Sequence, residues 1–266
     1  MQQTSPGSLL TALRADPPLV QNITNFVAMN IAANVLLAAG ASPAMVHAEE
    51  EASEFAGIAR ALTINIGTLS AGWMKGMHSA ADAANRAGKP WVLDPVAHYA
   101  TNFRRQAVDA LLAHRPTIIR GNASEIIALA GGTNRGQGVD SRDPVEQAQS
   151  SARILAKAHG AVVAATGEID FVTDGERAFV IEGGSRFMPA VTALGCSLTC
   201  LVGALAAVFP TDPLVSSVAA LTIFAVAGEN AARQADGPGS FAWRFLDALS
   251  ALDGPTLDRQ ARIRAA

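Results

Sequence analysis

The chain has 266 residues, with 20 Lys and Arg against 23 Asp and Glu, and half of its residues are hydrophobic. A formal net charge of −3 with no Lys/Arg run leaves no electrostatic footprint for nucleic acid, and the apolar content points to a large core with some apolar surface spent on subunit contact. Cys196 and Cys200 are the whole thiol inventory, too close on one expected helix to bridge without distorting it, so a reduced, cytoplasmic chain is expected.

Strand and helix patterns alternate along the chain. Residues 18–23 read as a short strand and 27–39 as a helix closed by Gly40. Residues 43–47 read as a strand, 50–61 as a helix, 62–66 as a buried strand and 70–87 as a helix closed by Gly88. A strand over 91–93 carries Asp94-Pro95 at its end, and a helix over 103–114 follows. Next come a strand at 117–120, helices at 124–130 and 144–158, and a strand at 161–165 that ends in Thr166-Gly167. Residues 131–143 form the one long loop expected. The pattern then changes to a hairpin, 171–173 and 178–181 around Asp174-Gly175, and to helices at 197–209, 214–234 and 241–251. The tail, 254–266, is charged and without periodicity, and is expected to be partly mobile. The polar start, Met1-Gln-Gln-Thr-Ser-Pro-Gly7, lacks a signal-peptide pattern, and the most apolar stretch, 214–227, is too short for a bilayer and reads as a buried helix.

Short apolar strands alternating with helices predict one α/β domain over residues 1–266, with a mostly parallel central sheet, helices on both faces and a C-terminal helical region. In such sheets ligands bind beyond the carboxyl ends of the strands. The residues expected there are Asn25, His47, Gly67-Thr68, Asp94, Arg120-Gly121-Asn122, Thr166-Gly167 and the Gly195-Cys196 turn.

Each has a functional and a plain reading. Gly195-Cys196 opens a helix, where unpaired N–H groups and the helix dipole favour an anion and a thiolate; a lone cysteine beside Ala and Leu is otherwise a small buried hydrophobe. If Cys196 acts, it is a nucleophile or a base, and none of the five histidines shows the pairing a cysteine hydrolase needs. Asp94 holds a divalent ion or closes an Asp-Pro turn. Glu125 is a second metal-side carboxylate or closes a capping box with Asn122. Two carboxylates near a phosphate cradle suit Mg²⁺ held mostly through water and phosphate oxygens. Arg120 meets a phosphate or pairs with a neighbouring helix.

The runs Pro18-Leu-Val-Gln-Asn-Ile-Thr-Asn25, Gly40-Ala-Ser-Pro-Ala-Met45, Asn65-Ile-Gly-Thr-Leu69, Leu93-Asp-Pro-Val96, Arg120-Gly-Asn-Ala-Ser-Glu125, Gly138-Val-Asp-Ser141, Thr166-Gly-Glu-Ile-Asp170 and Gly195-Cys196 occur in this order. With them the chain resembles the hydroxyethylthiazole kinase family of the ribokinase-like superfamily. The resemblance implies a three-layer α/β/α fold and ATP-dependent phosphorylation of 4-methyl-5-(2-hydroxyethyl)thiazole, a step of thiamine biosynthesis and salvage. It implies Mg²⁺ near Asp94 and Glu125, ATP contacts from Arg120, Asn122, Thr166 and Gly195, and thiazole contacts from Asn25, Met45, Gly67, Thr68 and Ala193. It places Cys196 where related sugar kinases carry a catalytic aspartate, which favours the base. It also implies a homotrimer with interfacial active sites, and neither nucleic acid nor membrane as partner.

The chain departs from the family pattern at Ala193 and Leu194 before Gly195-Cys196, at Gln21 where a histidine is common, at Ala97 where glycine is usual, and at Gln137 in place of a basic residue. Alanine resists positive φ, so the loop at Ala193 is expected either to differ or to tolerate a β-carbon, and Leu194 is expected to add bulk beside the phosphoryl path. A kinase for a related alcohol such as hydroxymethylpyrimidine, or a catalytically weak nucleotide-binding homologue, remains open on these grounds.

Overall fold

A computed structural model describes residues 4–131 and 145–266. The elements in chain order are α1 (Pro6–Ala15), β1 (Leu19–Ile23), α2 (Met29–Ala39), β2 (Ser42–Ala44), α3 (Glu49–Ile58), β3 (Ala61–Asn65), α4 (Ala71–Arg86), β4 (Trp91–Asp94) and α5 (Asn102–Leu112). They continue with β5 (Ile118–Asn122), α6 (Ala123–Leu129), α7 (Val145–His159), β6 (Val162–Thr166), β7 (Ile169–Thr173), β8 (Ala178–Glu182), α8 (Leu194–Val208), α9 (Pro213–Ala232), α10 (Pro238–Ala251), α11 (Gly254–Gln260) and β9 (Arg262–Ala265).

The strands form one sheet in the order β2-β1-β3-β4-β5-β6-β7-β8-β9. The first six run parallel, and β7, β8 and β9 join antiparallel. Successive strand residues point to opposite faces, so each strand feeds two cores. Val92, Ile118 and Val162 face the layer with α1, α2, α8, α9 and α10. Leu93, Ile119 and Val163 face the layer that includes α3, α4, α5 and α7. This is the three-layer α/β/α arrangement, and its six parallel strands all end at one edge of the sheet.

Three expectations fail locally, and a fourth, the buried helix over 214–227, holds in burial but not in its length. α1 was not expected; Ser5 caps it by accepting the Ser8 N–H, Pro6 opens its first turn, and Leu9, Leu10 and Leu13 are buried against α8 and α9. The tail is ordered: Asp258 of α11 accepts from the Ser5 hydroxyl and the Gly7 amide, both at 2.7 Å, and β9 pairs with β8 with Ile263 turned inward. The 214–227 stretch belongs to a 20-residue helix, α9, which is long and apolar enough to cross a membrane by length and composition. Its most apolar window is 83% buried by the neighbouring elements, which include α1, α8 and α10. Lastly, β2 stops at Ala44, and beyond it the Val46 carbonyl accepts from the Gln21 side-chain amide of β1 at 3.0 Å in place of a backbone ladder bond.

Candidate active site

Beyond the carboxyl edge of the parallel strands lies a line of buried polar side chains, each placed by its strand. Asp94 ends β4 in register with Asn65 at the end of β3. Asn65 Nδ2 donates to Asp94 Oδ2 at 2.8 Å, and Asn65 Oδ1 accepts from Asn25 Nδ2 at 2.9 Å and from the Gly67 amide at 2.9 Å. Asn25 Nδ2 also lies 3.4 Å from Cys196 Sγ, and Thr199, one turn further along α8, donates its hydroxyl to Asp94 Oδ2 at 2.7 Å. One hydrogen-bonded network therefore joins Asn25, Asn65, Gly67, Asp94, Cys196 and Thr199. A β-carbon on Gly67 would fall 2.6 Å from Asn25 Nδ2, so only glycine fits there without moving Asn25.

Arg120 sits between this network and the end of β6. Its Nη1 is 3.8 Å from Asp94 Oδ2, and its Nη2 donates to the Thr166 hydroxyl at 2.6 Å. Its nearest acid is thus on the adjacent strand, not on a neighbouring helix. The guanidinium lies against the start of α8, where a β-carbon on Gly195 would meet Nη1 at 3.2 Å. Arg120 Nε is buried and unpartnered among the described residues. A cation stacked on a glycine at a helix N-terminus, with N–H groups unspent, is an anion-binding arrangement.

The carboxylates divide in kind. Burial, with a smaller push from Glu125, raises the Asp94 pKa to about 6, although Arg120 and the Thr199 and Asn65 hydrogen bonds pull it down. Glu125 closes a capping box with Asn122: its Oε2 accepts the Asn122 amide at 2.9 Å, and its amide is accepted by Asn122 Oδ1 at 2.9 Å. Its Oε1 accepts the Ala97 amide at 2.9 Å, tying the loop after Asp94 to α6. Met45 and Thr68 are half-buried at the same edge but outside the hydrogen-bonded network.

The thiol does not behave as the helix terminus alone predicts. α8 begins at Leu194, so Cys196 is inside its first turn rather than before it. Burial, then the charge of Asp94, push the Cys196 pKa to about 11, which Asn65, Arg120 and Asn25 only partly offset. The expected preference for thiolate is reversed, because desolvation beside a carboxylate outweighs the helix dipole. Cys200 is a free buried thiol that meets the Cys196 carbonyl at 3.5 Å.

Sequence reasoning assigned no role to Asn65, Thr199 or Asp170. Asp170, half-buried, accepts the Gly167 amide at 3.0 Å, and its desolvation pushes its pKa upward. Asn65 and Asp170 each lie in a motif already singled out, and Asn65, directly before Ile66-Gly67, sits at a strand end as Asp94 does. Thr199 carried only the helical spacing from Cys196 as a signal.

The model of the hydroxyethylthiazole kinase family matches residues 10–254. The chain belongs to that family. It is 74% identical over 260 residues to the hydroxyethylthiazole kinase of Rhizobium rhizogenes, covering 98% of this chain and 97% of that protein. It is 60% identical over 259 residues to the hydroxyethylthiazole kinase of Gemmatimonas aurantiaca, covering 97% and 93%. The hydroxyethylthiazole kinase structure from Pyrococcus horikoshii superimposes with a TM-score of 0.90 at 40% identity, covering 98% of each chain. The pyridoxal kinase of Staphylococcus aureus in complex with ADP shares the fold, with a TM-score of 0.61 at 16% identity, over 81% of this chain and 89% of that one.

The departures from the family pattern have physical outcomes. Ala193 takes φ 59 and Ala97 φ 46, both left-handed, so the loops keep the shape that glycine would adopt and carry a β-carbon in it. Leu194 does not crowd the site: it is 3% exposed and packs into the core under α8. Gln21 is fully buried and its amide donates to the carbonyls of Val46 at 3.0 Å and Ala52 at 3.1 Å, fixing the segment after Met45. Gln137 and the Gly138–Ser141 run lie outside the described residues. Ala193→Gly is expected to raise stability by about 1 kcal/mol, less than the full left-handed penalty because glycine also loosens the unfolded chain. Urea titration checks this, and a stability unchanged or lowered would show that the backbone at Ala193 is unstrained.

Proposed function

We propose that this member of the hydroxyethylthiazole kinase family transfers the γ-phosphoryl group of ATP to the primary alcohol of 4-methyl-5-(2-hydroxyethyl)thiazole, in thiamine biosynthesis and salvage. The observation that carries the reading is the Arg120 guanidinium packed on Gly195 at the start of α8, with the buried Asp94 and the half-buried Cys196 beside it. Phosphoryl transfer asks chiefly for positioning and charge stabilisation. Arg120, Thr166, Asn122 and Gly195 hold the nucleotide. Asn25, Met45, Gly67, Thr68 and Ala193 hold the thiazole alcohol, with the half-buried Met45 supplying apolar contact for the ring.

Mg²⁺ fits the donor set. Among the described residues no group of three or more His, Cys, Asp and Glu is arranged to hold a metal by itself. Mg²⁺ keeps several waters and borrows phosphate oxygens, so one or two carboxylates suffice. Asp94 would hold it, its two hydrogen bonds falling on Oδ2 alone; Glu125, both of whose oxygens already accept backbone amides, would act through water. When bound, Mg²⁺ neutralises phosphate charge. Cys196 takes the alcohol proton. In a loose transition state that proton leaves late, so a weakly populated thiolate is tolerable.

The assembly is a cytoplasmic homotrimer with sites at subunit contacts. Phe26 and Val27, directly after Asn25, are 66% and 61% exposed and supply apolar surface beside the site for a neighbouring copy. The test is ADP release from Mg²⁺-ATP with the thiazole alcohol, with hydroxymethylpyrimidine as competitor and light scattering for mass. Turnover with the thiazole alcohol and a trimer mass are expected. ATP binding without phosphorylation, or preference for the pyrimidine, overturns the substrate; a monomer mass overturns the assembly.

A further inference from the structure

Half-buried Arg104, in the first turn of α5, spends its guanidinium on backbone carbonyls alone. Nη1 donates to Ile66 O at 3.0 Å and to Val96 O at 2.8 Å, and Nη2 donates to Gly67 O at 2.8 Å. Thr101 caps the helix by accepting the Arg104 amide at 3.2 Å, which fixes where the side chain starts. No carboxylate among the described residues pairs with it. The two loops it grips leave adjacent strands: the β3–β4 register ends at Asn65 opposite Asp94, and the last bond beyond it is Ile66 N to Asp94 O at 3.3 Å. After that point the sheet ladder no longer ties the loops, and Arg104 does.

We infer that Arg104 is a positioning residue that sets the spacing between the loop bearing Gly67 and Thr68 and the loop that follows Asp94. A planar guanidinium offers five N–H groups in a fixed fork, enough to span three acceptors on two loops, whereas an ammonium must direct its three donors from a single atom. Bonds from a charged donor are the stronger kind, so both loops move together or not at all. Gly67 and Thr68 are on the thiazole side and Asp94 on the metal side, so the clamp couples the acceptor alcohol to the charge that receives it. This consequence rests on the kinase reading; the clamp itself does not.

The test compares Arg104→Met, which keeps the aliphatic stem and removes the donors, with Arg104→Lys. In Arg104→Met, KM for the thiazole alcohol is expected to rise about tenfold, and KM for ATP to stay within about twofold, because Arg120 and Thr166 lie on β5 and β6. Arg104→Lys is expected to fall between. Amide hydrogen exchange on the free protein should accelerate at residues 66–69 and 96–98 and not elsewhere. Exchange unchanged in those two loops overturns the clamp. Accelerated exchange with both KM values unchanged, or both raised together with a lowered Tm, overturns the positioning role. If the parent protein fails to phosphorylate the alcohol, the kinase reading falls and the exchange measurement alone decides the clamp.

Discussion

Asp94→Asn is expected to give a protein that is more stable than the parent at pH 8 and nearly inactive. The side chain is 1% exposed, and its pKa is raised to about 6 by burial against the pull of Arg120. In the unfolded chain an aspartate titrates near 4. Below about pH 4 both states carry the proton and the residue contributes no difference. Between about pH 4 and 6 the folded state binds more protons, so stability falls as pH rises, and above pH 6 the whole cost of holding the charge is present. A shift from 3.8 to about 6 corresponds to on the order of 2–3 kcal/mol. Asparagine keeps an acceptor for Asn65 Nδ2 and the Thr199 hydroxyl without the charge. The gain should therefore be largest at pH 8 and vanish toward pH 4 in urea titrations, while kcat drops by about a thousandfold as charge stabilisation is lost. Equal stability at pH 8 would show that the carboxylate is well solvated; near-parent kcat would remove Asp94 from the metal site.

The second large effect is at Cys196. With a thiol pKa near 11, the thiolate population grows about tenfold per pH unit through the neutral range. If Cys196 is the base, log kcat for the parent rises with a slope of about one between pH 7 and 9. Cys196→Ala loses that slope and about a hundredfold in kcat at pH 9. Cys196→Asp supplies a base ionised throughout the range, keeps at least parent activity at pH 7 and gives a flat profile. A sloping profile in the alanine variant would assign the proton to another group.

The alternating pattern was readable because each parallel strand is a short apolar run, such as residues 118–119 and 162–165, buried on both faces. The elements that were not readable have little periodic signal. β9 turns only Ile263 inward, and its arginines pair outward with Glu229 and Glu182. α1 is short, and its three leucines follow a polar start. At the candidate site, residue types read at strand ends are those that meet beyond the carboxyl edge of the sheet, among them Asn25, Asp94, Arg120 and Thr166. Sequence could not show that Glu125 spends both oxygens on backbone amides, or that Asp94 lies close enough to raise a thiol that the helix alone would lower. Those are facts of distance between elements far apart in the chain.

The pairing of α1 with α11 sets an order on folding. Gly7 and its partner Asp258 are separated by 251 residues, and α1 packs besides on α8 and α9. Within this chain α1 is made before α8, α9 and α11, the helices that supply most of the surface on which Leu9, Leu10 and Leu13 dock. Contacts of such separation form late and slowly. An apolar leucine face on α1 therefore waits on helices made much later in the chain, and its docking is expected to be a late step of folding.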